Sequence, residues 1–192
     1  VVWDCHEYLV PMKRELQGKL SALLAKNIIK FTAPKIDHII TVDNILGRQL
    51  QEYNSVTVIP NYPTISDFPL LENKTKNKIP NIIYVGSLTE ERGLKKMIKA
   101  YKIVRENFEA ELTIIGGFYD TSLEKWAKNY DSKYKLMINW KGWINYTELA
   151  PHFSEADIGL CLLQNSERYK KAIATKVYEY IIMGLSLSLI HI

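Results

Sequence analysis

The sequence contains little cysteine: Cys5 and Cys161 are the only two among its 192 residues. Two cysteines cannot build a disulfide framework, and their spacing matches no zinc motif. We therefore interpret them as reduced thiols, which predicts a cytoplasmic protein. The sequence also lacks an apolar run long enough to cross a bilayer and lacks a signal peptide, so neither a membrane-spanning nor a secreted protein is predicted.

Charge of one sign is not in large excess either. The 25 Lys and Arg residues outnumber the 21 Asp and Glu residues by a net charge of +4. This mild basicity suits an anionic small molecule or an anionic membrane surface, and it is too weak and too dispersed to predict nucleic-acid binding. Hydrophobic residues make up 47% of the chain, which is enough for the core of a globular protein.

The usual features of chain ends are missing. The sequence opens with "VVW", which has strand character and no Met, and it closes with the apolar run "LSLSLIHI". We expect a fragment of a longer protein whose first domain is only partly present, or an artificial stretch over the last few residues.

What the sequence does contain is an alternation of strand and helix patterns. Strands are predicted at the N-terminus and over 37–42, 56–60, 81–86, 111–117, 135–142, 157–163 and from 185 onward. Helices are predicted over 13–31, 44–53, 94–107, 122–130, 147–156 and 176–183, with Asn44 as a cap of the second. This alternation predicts an α/β fold with parallel sheets.

A change in composition predicts two domains. Residues 61–80 hold three prolines and the polar run "ENKTKNK", as a linker does. We expect a first α/β domain at 1–60 and a second at 81–192.

Ligands of parallel sheets bind at the carboxyl ends of the strands. There "VGSLTEERG" (85–93) supplies Gly86, where a backbone can approach a ligand, and Gly93, which opens a helix whose N-terminus favours an anion. Arg92 adds a forked cationic donor. The loop is a candidate phosphate clamp, and the alternative is a solvated turn whose charges face water.

Three other strand ends carry weaker candidates. Gly116 and Gly117 allow a ligand to approach or simply form a tight turn. Trp143 lines a base pocket or is an ordinary core or surface aromatic residue. In "WDCHEY" (3–8), His6 is a candidate contact to a reacting group, and the alternative is a polar strand end. A metal is not expected, because no further ligands occur at zinc-like spacing.

The helix predicted at 176–183 is apolar nearly all round, which indicates burial. Its charged residues are Lys176 and Glu179, and a buried carboxylate needs a partner. That partner is either a ligand or Lys176 itself, in a plain i,i+3 ion pair.

These motifs together resemble glycosyltransferase family 4. The stretches "VTVIPNYP", "IIYVGSLTEERGL", "LTIIGG", "ADIGLCLL" and "TKVYEY…MG" carry the resemblance, which extends from about Asp4 to Gly184. No single stretch is decisive, whereas their order and spacing are specific. The family implies retaining enzymes with two Rossmann-like domains, the architecture called GT-B, of which the first is present here only in part.

The resemblance also implies roles for individual residues. Donor binding is expected of Gly86, Ser87, Arg92, Gly93, Gly116, Trp143, Ile144, Lys176 and Glu179. Catalytic contacts are expected of His6, Arg92 and Lys176. Glu179 matches the family glutamate that binds the ribose hydroxyls. Two positions depart from the family: Ser87 stands where an Arg is usual, and Lys171 stands where the first of two glutamates is expected.

The implied reaction transfers a sugar from a nucleotide-sugar to an acceptor hydroxyl with retention and without a metal or other cofactor. The acceptor would be a sugar or a lipid-linked sugar, as in cell-surface polysaccharide or glycolipid synthesis. The basic helix at 13–31 would suit the inner face of the plasma membrane, or it is an ordinary basic surface. The alternative function is a nucleotide-binding module, or an inactive fragment, without catalysis.

Overall fold

The computed structural model describes residues 1–68, 77–163 and 174–191. The described residues divide into two compact units, the first over 1–62 and the second over 63–68, 77–163 and 174–191. Each unit is an α/β layer structure with one parallel sheet. The predicted α/β fold with parallel sheets is confirmed.

The first unit is a three-stranded parallel sheet in the order β1-β2-β3. Its elements are β1 (Val2–Cys5), α1 (Leu9–Thr32), β2 (His38–Thr41), α2 (Asn44–Leu50) and β3 (Val56–Val58), with a 3₁₀ helix at Ala33–Lys35. Its core consists of Cys5, Tyr8, Ala33, Ile39, Leu46 and Leu50.

The second unit is a five-stranded parallel sheet in the order β6-β5-β4-β7-β8. Its strands are β4 (Asn81–Val85), β5 (Glu111–Ile115), β6 (Asn139–Gly142), β7 (Ile158–Leu163) and β8 (Ser186–His191). Its helices are α3 (Leu94–Asn107), α4 (Thr121–Tyr134), α5 (Ala150–Ser154) and α6 (Thr175–Ile182), with 3₁₀ helices at Ile65–Asp67 and Tyr146–Glu148.

Strand β4 runs through the middle of this sheet and supplies both of its cores. Alternate side chains of a strand point to opposite faces. Tyr84 therefore joins the cluster under α3 and α4, and Ile83 joins the cluster under α5 and α6. Because both faces are covered, the carboxyl end of β4 is the part of the strand that remains accessible to a ligand.

Most predicted elements are present, and α3 has the predicted bounds. The strand predicted at 135–142 was wrong in its first half, since β6 begins only at Asn139. Lys135 and Met137 adopt positive φ values of 51° and 58°, which an extended strand excludes. Lys135 instead ends α4 in a left-handed conformation.

Two helix predictions also need correction. Helix α1 starts earlier than predicted and is broken at Gly18, whose φ of 85° and ψ of 179° are not helical. The cap of α2 is Asp43 and not Asn44. Its carboxylate accepts hydrogen bonds from the backbone N–H groups of Ile45 and Leu46, which is the geometry an N-cap requires.

The helix predicted over 147–156 is shorter than expected. The chain forms a 3₁₀ turn and then α5, with Pro151 in its first turn. Proline lacks an N–H group and fits the first turn of a helix, whereas in the middle it would break the helix. Helix α5 has no side-chain cap.

The described part of the predicted linker does not stand apart from the second unit. Phe68 is fully buried and contacts the rings of Tyr146 and Phe153 at centroid distances of 5.4 and 5.8 Å. Residues 69–76 lie outside the described part of the chain. Among the described helices, none combines the length and the apolar character needed to span a membrane.

Candidate functional site

The candidate site lies where β4, β5 and β6 end, because backbone hydrogen bonds hold the turns after these strands together. The N–H of Gly86 donates to the carbonyl of Ile115 at 2.9 Å, and the N–H of Gly116 donates to the carbonyl of Gly142 at 2.7 Å. The carboxyl edge of a parallel sheet is where such folds bind ligands. The turns therefore form one continuous backbone surface at that edge.

Gly86 is the point on which two cations converge. A Cβ atom placed on this residue would lie 2.8 Å from Nζ of Lys176 and 3.5 Å from Nη1 of Arg92. The φ of Gly86 is 143°, in a region that side chains rarely tolerate. The absence of a side chain thus leaves room for two positive charges beside the half-buried backbone of this turn, as an anion site requires.

Gly116 packs directly against the backbone of Gly86. A Cβ atom on Gly116 would lie 2.0 Å from the carbonyl oxygen of Gly86, so any side chain here would displace the neighbouring turn. The sequence allowed either approach of a ligand or a tight turn at Gly116, and the structure contains the tight turn. Gly116 packs against backbone, and its φ of 153° again favours glycine.

Arg92 and Gly93 form the turn that starts α3. The N–H of Arg92 donates to Oγ1 of Thr89 at 3.2 Å, and Gly93 has a left-handed φ of 74° just before the helix. A Cβ atom on Gly93 would lie 3.2 Å from the Cβ atom of Leu162, so the turn packs closely on β7. Arg92 is half-buried, which places its guanidinium in the site and not in bulk water.

Helix α6 is held at the same edge by Tyr180. The Tyr180 hydroxyl accepts a hydrogen bond from the N–H of Val85 at 3.1 Å, and the side chain is fully buried. A Cβ atom on Gly159 would lie 2.4 Å from the Tyr180 ring, so the ring packs flat on β7 only because residue 159 is glycine. This contact sets the position of α6, and with it Lys176 and Glu179.

Lys176 is a nearly buried cation, with 7% of its surface exposed. Burial, and to a smaller extent Arg92, lowers its pKa to about 8, although Cys161 and Glu179 act in the opposite direction. Its Nζ lies 4.1 Å from the ring centroid of Tyr84. An anion in the site would restore the stability of the charged form.

Glu179 is a nearly buried carboxylate, with 6% exposed. Burial raises its pKa, and Lys176 partly opposes that rise. Among the described residues, no ion pair within 4.0 Å includes Glu179, so the plain i,i+3 pair with Lys176 is not formed. Burial and the charge of Glu179 raise the pKa of Tyr146 to about 12, which keeps that hydroxyl protonated beside the carboxylate.

The other predicted residues of the second unit that the structure describes differ in how exposed they are. Ser87 is half-buried beside Gly86, and its carbonyl accepts a hydrogen bond from the Tyr84 hydroxyl at 3.2 Å. Trp143 is 70% exposed, whereas Ile144 packs against the core under α5 and α6. Lys171 lies outside the described residues.

His6 belongs to the first unit. It is exposed, and its Nε2 lies 2.8 Å from a carboxylate oxygen of Asp4. The first unit also contains a cavity of about 310 Å³ between α1 and α2, lined mainly by apolar side chains and by none of the predicted site residues. In the described part of the chain, no group of three or more His, Cys, Asp or Glu residues is placed to hold a metal ion.

Sequence reasoning missed Tyr84, Tyr146, Gly159 and Tyr180. Tyr84 could have been found, since it precedes Gly86 by two residues and alternate strand residues share a face. The contact of Tyr180 with Gly159 joins residues distant in sequence and left no local signal.

Comparison with known proteins places this geometry in context. The model of the family described as "Glycosyl transferases group 1" matches residues 67–186, more than half of the chain. No curated protein sequence matches the chain.

Several solved structures have a similar fold. The sucrose-phosphate synthase of Thermosynechococcus elongatus is 15% identical with a TM-score of 0.72, over 98% of this chain and 49% of its own. The Anabaena protein Alr3699/HepE, in complex with UDP and glucose, is 11% identical with a TM-score of 0.72, over 97% and 51%. The pneumococcal O-GlcNAc transferase GtfA, in complex with UDP and GlcNAc, is 20% identical with a TM-score of 0.63, over 85% and 32%. The chain therefore spans about half the length of these proteins, or less.

Proposed function

The chain belongs to the family of glycosyl transferases group 1, and we propose that its second unit binds the nucleotide-sugar donor of a retaining, metal-independent hexosyltransferase. The whole enzyme moves the sugar to an acceptor hydroxyl. The bond between the sugar C1 and the diphosphate oxygen breaks with its electron pair on the diphosphate. The acceptor oxygen bonds to C1, and its proton passes to the leaving diphosphate.

The observation that carries this proposal is the convergence of Lys176 and Arg92 on Gly86. A departing diphosphate gains negative charge, and fixed donors aimed at that charge are usually a large catalytic contribution. Two side-chain cations and the N-terminus of α3 supply that stabilisation, so the step needs no metal ion. Gly86, Ser87 and Gly93 let the diphosphate approach the backbone, and Gly116 supports their turn.

Glu179 accounts for the nucleoside side of the donor. A carboxylate can accept hydrogen bonds from two adjacent hydroxyl groups, which matches the ribose diol. The absence of an ion pair with Lys176 leaves its oxygens available for that purpose. Trp143 and Ile144, at the end of β6, are proposed to border the base.

We propose UDP as the first nucleotide to test, because two of the similar structures are complexes with UDP. The acceptor is proposed to be a sugar or a lipid-linked sugar of cell-surface polysaccharide or glycolipid synthesis, with His6 contacting the sugar or acceptor. Exposed Leu20 and Phe31 on the basic helix α1 support contact with the inner face of the plasma membrane.

The first experiment measures UDP binding by calorimetry for the wild type and for Arg92→Ala. The substitution is expected to weaken binding about tenfold or more, since a hydrogen bond to a charged group contributes about 1.5–3 kcal/mol. Higher salt should weaken wild-type binding further, because the site is partly open to solvent.

Arg105→Ala is the matched control. Arg105 is also half-buried in the second unit, but its guanidinium donates to the carbonyl of Ala110 and not toward Gly86. If both variants bind UDP as the wild type does, Arg92 does not contact the diphosphate.

Ser87, in place of the usual Arg, favours one alternative: a nucleotide-binding module without catalysis. Such a module binds UDP and loses affinity in Arg92→Ala, yet releases no UDP from a UDP-sugar when an acceptor is added. Release of UDP that depends on the acceptor excludes it.

A further inference from the structure

We propose that Tyr84 is a positioning residue of this site, whose ring face holds the Lys176 ammonium beside the Gly86 turn. The inference rests on the proposed function and adds the group that keeps one of the two cations in place. Tyr84 lies in β4, two residues before Gly86, and only 1% of it is exposed.

The Lys176 ammonium contacts the face of the Tyr84 ring directly. Nζ of Lys176 lies 4.1 Å from the centroid of the Tyr84 ring. The negative face of an aromatic ring attracts a cation, and the attraction grows when the cation has lost its water. No carboxylate within the described ranges lies within ion-pair distance of this ammonium. The ring is therefore the described group that compensates for its lost hydration.

Tyr84 is also hydrogen-bonded to the turn that follows β4. Its hydroxyl donates to the carbonyl of Ser87 at 3.2 Å. The same hydroxyl oxygen would lie 3.5 Å from a Cβ atom on Gly86. One side chain thus fixes both the loop and the cation, so the distance between Lys176 and the backbone of the turn is set by a rigid ring.

The ring of Tyr84 carries no net charge, unlike a carboxylate. A carboxylate at this position would hold Lys176 equally well, but it would neutralise the cation and repel a diphosphate. An aromatic face holds the ammonium without adding a negative charge. Tyr84 therefore leaves the full positive charge available to the ligand, as a site for an anionic leaving group requires.

Within the described residues, three other titratable or charged groups face Lys176. They are Arg92 from the turn before α3, Cys161 from β7 and Glu179 from α6. A change confined to the ring of Tyr84 leaves all three in place, so its effect on Lys176 can be measured separately.

The test varies the ring without changing its shape. We compare UDP affinity in Tyr84→Phe and in the chain with 3,4,5-trifluorophenylalanine at position 84, whose fluorines remove the negative ring face. Tyr84→Phe loses the hydrogen bond to Ser87 and should bind UDP somewhat more weakly than the wild type. The trifluoro variant lacks the same hydroxyl and should bind about five- to tenfold more weakly than Tyr84→Phe. Tyr101 is the matched control position, because it is also buried and its hydroxyl donates to a carbonyl, that of Ala110 at 2.9 Å.

A second measurement needs no ligand. The pKa of Lys176 is followed by NMR of its labelled Cε in the Phe and trifluoro variants. Loss of the negative face destabilises the charged form, so the pKa should fall below that of the Phe variant, and UDP affinity should decline at a lower pH. Equal titration in both variants overturns the proposal, even if both bind UDP. If no variant and no wild-type chain binds a nucleoside diphosphate, the proposed function fails, while the titration still decides whether Tyr84 holds Lys176.

Discussion

The two units differ in the exposure and the pairing of the charged side chains near their strand ends. In the first unit, Asp4 and His6 are exposed and contact each other at 2.8 Å. In the second, Lys176 and Glu179 are nearly buried, and in the described part of the chain no ion pair joins them. Two exposed groups of this kind contact each other, and water hydrates their remaining polar atoms. Buried charges without that satisfaction favour a ligand of opposite charge or with hydroxyl donors, which distinguishes a binding site from a polar strand end.

The strongest test of this contrast is Lys176→Met, which keeps the length of the side chain and removes its charge. UDP affinity at pH 7 should fall about 10- to 100-fold, because a charge-assisted contact contributes about 1.5–3 kcal/mol. Lys102→Met is the control, since Lys102 is only half-buried and already pairs with Glu106 of α3. Equal losses for both variants in calorimetry would mean that the buried position of Lys176 makes no difference to UDP binding.

The same variant carries a pH signature. The free site has a Lys176 pKa of about 8, below the ordinary value because of burial. A diphosphate prefers the protonated form, so wild-type affinity should be highest below pH 8 and should fall as the pH rises through that value. The Met variant should lack this decline.

Glu179→Gln should have a smaller effect, since an amide keeps the shape and one acceptor. UDP affinity should drop about tenfold, corresponding to about 1–2 kcal/mol. The sharper measurement is a cycle in which wild type and variant are each titrated with UDP and 2′-deoxy-UDP. If Glu179 binds the ribose, the variant discriminates less between the two; equal discrimination would remove Glu179 from the site.

Sequence patterns predicted the strand ends of the second unit well, because the signals there are local. Gly86, Arg92 and Gly93 lie within eight positions of one strand–turn–helix segment. The convergence of Lys176 on the same turn was not predictable from the residues alone. It depends on the packing of Tyr180 against Gly159 and on parallel pairing between strands distant in sequence.

The errors in the fold have equally local causes. The sequence favoured a strand from residue 135, yet positive φ values at Lys135 and Met137 allow β6 to begin only at Asn139. The predicted cap Asn44 lies next to the true cap, Asp43. Both residue types cap helices, so the pattern alone could not separate two adjacent candidates.

Asp4→Asn should have the smallest effect of the series. The Asp4–His6 contact is exposed, and pairs of this kind contribute about 0–1 kcal/mol, so the free energy of unfolding should change by no more than that. UDP affinity should stay at the wild-type value, because Asp4 is exposed and already contacts His6. Asp43→Ala is the control in the same unit: the Asp43 carboxylate caps α2 and accepts a hydrogen bond from the Tyr8 hydroxyl at 2.8 Å. Loss of that cap should cost about 0.5–2 kcal/mol in chemical denaturation. A loss of UDP affinity in Asp4→Asn comparable to that of Glu179→Gln would mean that exposure and pairing do not separate the two kinds of strand end, and the contrast between the units would fall.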